Sequence, residues 1–318
     1  MPANPLYNLP NYGLQAGLAT PYGITLPPSQ QVIYVRSTGV QNGDNRDIAE
    51  RLVPTLSAAL AQCRSGYADT VVCLPGHSES VTDATMLTNL VAGTKIIGVG
   101  NGSNRPTFRW TATAAQWAIT VNDVVFSNLN LQLEGANGVV KAIAITGNDV
   151  VFYSNDILVG SGASNKATIA IEVGTGASGG NRFVFDSNTV RGVVAGAVTN
   201  GLLISNAASD IRIVNNEMLF AGTTTNGNVN IQAAALNLRI LNNFLENTVA
   251  ASVACIVLSN AASDGIVAYN SVAVKSTGAV TSGTTGITIG ASSLVTFYQN
   301  YVANDPRTSG LLLPTVDT

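Results

Sequence analysis

From about residue 67 the apolar positions of the chain fall in short runs broken by Gly, Ser, Thr, Asn or Asp, and the runs recur. Seven of them close on an asparagine: VVFSN, VVFYSN, FVFDSN, IRIVNN, LRILNN, IVAYN and VTFYQN end at Asn128, Asn155, Asn188, Asn216, Asn243, Asn270 and Asn300. The steps between them are 27, 33, 28, 27, 27 and 30 residues. A further apolar run precedes each, as in AIAI (142–145) and CIVL (255–258), and a third follows most, as in DILV, EMLF and SVAV. A period near 27 with three short strands and variable Gly/Ser/Thr loops describes one coil of a β-solenoid. TVVCLPG and KIIGVGN read as less regular first coils. About nine coils result, stacked roughly 40 Å tall at ~4.8 Å per paired strand.

The recurrent asparagine has a structural reading in such a stack. Identical positions lie one above another, so each side-chain amide can bond the amides above and below. Asparagine also tolerates the left-handed backbone of a sharp corner. Asn128, Asn155, Asn188, Asn216, Asn243, Asn270 and Asn300 are therefore assigned to one ladder, with Asn130 as the alternative to Asn128 in the first repeat. A second recurrent row, Asp123, Asp149, Asn181, Asp210, Asn237 and Asp264, precedes the middle strand of each coil and reads as turn-forming. A calcium ion needs six to eight converging oxygens, which this spaced row does not supply.

The start of the chain differs. Six of the eleven prolines lie in residues 1–31, among Tyr7, Leu9, Tyr12, Leu14, Leu18 and Tyr22. Proline removes backbone donors, so this segment reads as an extended arm, and its apolar residues suit it to lying against a partner. Residues 32–66 hold an opening strand and one helix with apolar residues at Ile48, Leu52, Leu56, Leu60 and Cys63, kinked or reset at Pro54. Residues 67–304 form the solenoid and 305–318 a C-terminal tail. The fold class is all-β.

Composition narrows the function. Charged residues are 10% of the 318, against roughly 25% in ordinary soluble domains. No Lys/Arg cluster offers a nucleic-acid footprint, and no apolar run reaches the ~18 residues of a membrane span. MPANPLYNLPNYGLQAGL lacks the basic start and apolar core of a secretory leader. Cys63, Cys73 and Cys255 have no metal-ligand spacing and read as small buried apolar residues.

Catalytic chemistry finds little purchase. His77 is the single histidine and follows a Pro-Gly turn. GTGASG (174–179) is followed by a strand where a phosphate loop needs a helix. Arg105, Arg109, Trp110 and Trp117 suggest a sugar platform, but packing on the first coils is the simpler reading. Glu134, Asp156, Asp186, Glu217 and Glu246 fall at different positions of the repeat, whereas acid–base catalysis needs a placed pair. No catalytic residue, metal ligand or cofactor is assigned.

VIYVRSTG, SAALAQC, ADTVVCLPGHSESV, KIIGVGNGSNRPTF and the Asn-marked coils together resemble the right-handed parallel β-helix proteins of tailed-bacteriophage virions. IIGVG and the Asn ladder are also similar to pectate-lyase-type β-helices, although the lyase pattern of calcium-binding Asp plus catalytic Arg or Lys has no counterpart here. The resemblance covers residues 31–304 and implies a capsid decoration (cement) protein on the outside of the shell. It implies a homotrimer whose partner is the major capsid protein. The alternative is a tailspike-type receptor-binding protein or a polysaccharide lyase or hydrolase. In the decoration reading, Tyr7, Leu9, Tyr12, Leu14, Leu18 and Tyr22 are the partner-binding arm, and neither nucleic acid nor membrane is a partner.

Overall fold

In the computed structural model, the residues described are 30–41, 44, 46–134, 138–176, 179–193, 198–222, 226–248, 254–274, 286–289, 294–304 and 308–312, with side chains described up to Tyr301. The arm residues Tyr7, Leu9, Tyr12, Leu14, Leu18 and Tyr22 lie outside this set. Short strands stack in parallel into three long sheets, the arrangement of a parallel β-solenoid. The first sheet runs from Val32–Val35 through Thr70–Cys73, Lys95–Gly98 and six further strands to Leu294–Tyr298. The second runs from Ser78–Val81 to Asn300–Asn304, and the third from Trp117–Ile119 to Ile287–Ile289. The third sheet has seven strands, so seven coils carry all three. Below them, Thr70–Val81 and Lys95–Trp110 supply strands to the first two sheets only, so the solenoid has about seven full turns where about nine coils were expected.

The strands are short because each coil must turn three times, and each alternates one residue inward with one outward. Inward rows in the first sheet read Ile33, Val71, Ile96, Phe126, Phe152, Phe185, Ile213, Ile240 and Val267, in register from coil to coil. Trp117, Ile143, Ile171, Leu202, Val229, Ile256 and Ile287 do the same in the third. Stacking of like on like makes a continuous core: Phe126 and Phe152 lie with ring centroids 4.9 Å apart and planes 19° from parallel.

The helix expected over residues 45–63 is two helices. Helix α1 (Arg46–Arg51) ends where Leu52–Val53 pairs with Tyr34–Val35 as an edge strand, and helix α2 (Leu56–Leu60) follows Pro54. Pro54 cannot donate to a helical hydrogen bond, and the break lets the two pieces cover different surfaces. Ile48 and Leu52 pack outside the first sheet against Val32, Tyr34, Val72 and Leu74. Leu56, Ala59 and Leu60 enter the interior and plug the bottom of the solenoid. Thr55 caps α2 by accepting from Ala58 N–H at 3.2 Å. Burial works against ionisation of Asp69, but the Arg64 guanidinium and the N–H groups of Gln31 and Arg64 outweigh it and hold the carboxyl below the usual carboxylate range.

At the far end, Thr308–Leu312 within the tail runs back antiparallel on Asn300–Asn304. No helix among the described residues is long and apolar enough to cross a membrane.

Candidate functional site

The bend between the first and second sheets holds the amide ladder. Asn155, Asn188, Asn216, Asn243, Asn270 and Asn300 are all at most 2% exposed. Each Oδ1 from Asn188 upward accepts both the backbone N–H and the Nδ2–H of the asparagine one coil below: Asn188 bonds Asn216 at 2.9 and 3.1 Å, and Asn216 bonds Asn243 at 2.9 and 3.0 Å. Each Nδ2 also reaches back to a buried carbonyl, as Asn216 does to Phe185 O at 2.8 Å. An amide has both donors and an acceptor, so only asparagine repeats this pattern without leaving a buried group unpaired.

Asn128 is not in the ladder. Its neighbour Leu129 donates its N–H to Asn155 Oδ1 at 3.0 Å and so occupies the ladder position, while Asn128 Nδ2 turns to Gly98 O and Gly100 O. Asn130 is not there either; it opens the next strand and bonds Thr107 Oγ1. The cause is backbone conformation. The left-handed residue of this bend is the one before the ladder: Asn128, Ser154, Ser187, Asn215, Asn242, Tyr269 and Gln299 have φ of 47–58°. In the adjacent pairs Asn215–Asn216 and Asn242–Asn243 the first asparagine makes the corner and the second stacks.

The other row forms the bend before the first sheet. Asp123, Asp149, Asp210 and Asn237 are left-handed there, with φ of 53–60°. Asn181 sits one residue early, and Arg182 takes the left-handed place at φ 55°. Arg182 therefore stacks over Asp149 and bonds it twice at 2.5 Å, which holds that carboxyl below its usual range. Asn181 belongs to a second, shorter ladder that sequence reading missed: Asn122, Asn148 and Asn181 accept in turn from Asn148, Asn181 and Ser209. Its signal was the doublet repeated as Asn-Asp, Asn-Asp, Asn-Arg and Ser-Asp. Asp264 is followed by Gly265, which takes φ 130°.

The remaining catalytic candidates resolve into structure. His77 is 1% exposed; Ser37 N–H donates to its Nδ1 at 3.1 Å, so the hydrogen is on Nε2, 3.2 Å from Glu79 Oε2. Because a backbone N–H fills Nδ1, that nitrogen is not free to accept a proton from a nucleophile. Glu79 points inward at the bottom coil, where its Oε2 accepts from Leu56 N–H at the start of α2. Trp110 and Trp117 are 1% and 0% exposed, inside the core and closed to a sugar ring. Glu172 pairs with Lys141 at 2.5 Å and accepts from Ser205 Oγ. Asp156 and Glu217 face outward at one row of the second sheet, Glu246 at another, and Asp186 on the first sheet. No group of three His, Cys, Asp or Glu side chains among the described residues is placed to hold a metal ion.

The exposed surface beside the ladder is aromatic. Tyr269 sits on the corner at 51% exposure, Tyr298 and Tyr301 flank it one coil higher at 48% and 45%, and Phe244 lies one coil lower at 45%. Tyr269 and Tyr298 meet edge to face with centroids 5.5 Å apart. Sequence reading did not single these out, since YN, YQ and NF look like ordinary strand residues until the coil register brings them together. No protein-family model, no curated protein and no solved structure matches the chain.

Proposed function

We propose that the protein is a non-enzymatic structural component of a tailed-phage particle, a trimeric capsid decoration protein that braces the outside of the shell. The observation that carries the reading is how the polar side chains are used. The buried asparagines of the corner are consumed in a ladder, the outward acids are spread over two faces with only Asp156 and Glu217 sharing a row, and the large apolar side chains left in water around the upper part of the ladder corner are Phe244, Tyr269, Tyr298 and Tyr301. A rigid rod with an aromatic edge suits packing on other subunits, since exposed aromatic patches mark protein contact surfaces. The apolar arm holding Tyr7, Leu9, Tyr12, Leu14, Leu18 and Tyr22 is the segment assigned to the major capsid protein.

The test is reconstitution. Full-length protein is mixed with shells that lack it and the mixture is sedimented. Saturable co-sedimentation, with shells that then withstand heating better, is the expected result. Failure to bind shells, or depolymerisation of a bacterial polysaccharide by the purified protein, would overturn the assignment.

A further inference from the structure

We propose that the trimer closes by setting the outer face of the first sheet of one copy against the outer face of the second sheet of the next, with the ladder corner on the threefold axis. The proposal rests on the trimer of the preceding section and names the surface that builds it.

Height comes first. A threefold axis parallel to the solenoid relates copies by rotation alone, so residues of one coil in one copy lie level with the same coil in its neighbours. Faces that meet must then be complementary coil by coil. The two sheets flanking the ladder corner meet this condition. The first sheet presents Arg212 outward and, in register one coil above, Arg239. Stacked like charges at the ~4.8 Å strand spacing repel, and neither side chain has an ion pair among the described residues. The second sheet presents Glu217 and Glu246 outward in those same two coils, also without an ion pair among the described residues. Within one copy these charges stand on different faces, divided by the corner, and cannot neutralise each other.

Across copies they meet. Arg239 stands three residues before the corner residue Asn242, and Glu246 stands four after it. At ~3.3 Å per residue these are roughly 10 and 13 Å from the corner. When corners converge on an axis, Arg239 of one copy and Glu246 of the next lie at equal height and similar radius. Arg212, one coil below, faces the same strip and offsets Glu217, the acid nearest the axis. The aromatic residues fall where such an assembly needs them. Tyr269 is on the corner, and Phe244, Tyr298 and Tyr301 are within two residues of it. They form the dry centre, and the charges lie outside it, the usual layout of a protein interface.

The experiment is a charge swap read by sedimentation velocity on the full-length chain, with circular dichroism to show that each variant folds. R239E and E246R are each expected to raise the concentration at which the trimer dissociates by at least about tenfold. R239E/E246R together should restore it. Tyr298→Ala, which leaves all charges in place, should weaken the trimer as well. A folded trimer indifferent to both single reversals, or a double reversal no better than the singles, refutes this surface while leaving the trimer standing. A wild-type chain that stays monomeric at every concentration refutes the trimer itself.

Discussion

Asn216→Ala removes one rung from the middle of the ladder, and its effect can be worked out atom by atom. The lost side chain donated to Phe185 O at 2.8 Å, Val214 O at 2.9 Å and Asn243 Oδ1 at 3.0 Å. It accepted the backbone N–H of Asn188 at 2.9 Å and Asn188 Nδ2 at 3.1 Å. Asn243 Oδ1 keeps the Asn216 backbone N–H, and Asn188 Nδ2 keeps Phe152 O, so these two are only weakened. Asn188 N–H is left without a buried partner, while Phe185 O keeps its bond to the next strand of the parallel sheet. At ~1–3 kcal/mol for the unsatisfied N–H and ~0.5–1.5 kcal/mol for each of the other lost bonds, the variant should lose about 3–5 kcal/mol. Asn216→Asp should be worse at neutral pH, since an oxygen replaces Nδ2 against three acceptors. Its deficit should shrink on acidification as the carboxyl regains a hydrogen to donate. Because each coil touches only its neighbours, the loss should be local. Native-state hydrogen exchange at the Asn188 amide reads it directly: exchange should accelerate by at least about a hundredfold, while amides near α2 hold. Unchanged protection at Asn188, or a loss below ~1 kcal/mol, would falsify the account of the ladder as the solenoid's spine.

Three further outcomes follow from the same geometry. The native pKa of Asp69 is depressed relative to the unfolded chain, so its contribution is present above pH ~4 and fades as pH falls through the folded value. In acid denaturation, Asp69→Asn should be less stable than wild type at pH 7, and the gap should close as pH falls through the folded value. Gly98→Ala would bring a Cβ to 2.1 Å from the backbone oxygen of Asn128, so the first bend must shift, at about 1–3 kcal/mol by chemical unfolding. Burial raises all three thiols, Cys63 and Cys255 to about 12, so native protein should react slowly with a thiol reagent at pH 8 and unfolded protein rapidly at three sites.

The periodic asparagines and the apolar runs before and after them were enough to read the parallel solenoid and the order of its strands. A stack of identical positions writes itself into sequence as a period, because each coil solves the same burial problem. The expectation that the acids fall at different repeat positions fails for Asp156 and Glu217, which the coil register places in one row of the second sheet, two coils apart. What the sequence also did not determine was a one-residue phase. Asn128, Asn215 and Asn242 are chemically suited to either place at the corner, and only the backbone register makes them the bend and leaves Leu129, Asn216 and Asn243 in the ladder positions. The split at Pro54 belongs to the same class, since helical spacing in Leu52–Leu60 does not say that one piece covers the outside and the other fills the end. The surface depended most on tertiary structure. Residues 239 and 246, or 269 and 298, become level or adjacent only after the chain has wound through whole coils, a long-range relation that no local pattern of hydrophobic and polar residues encodes.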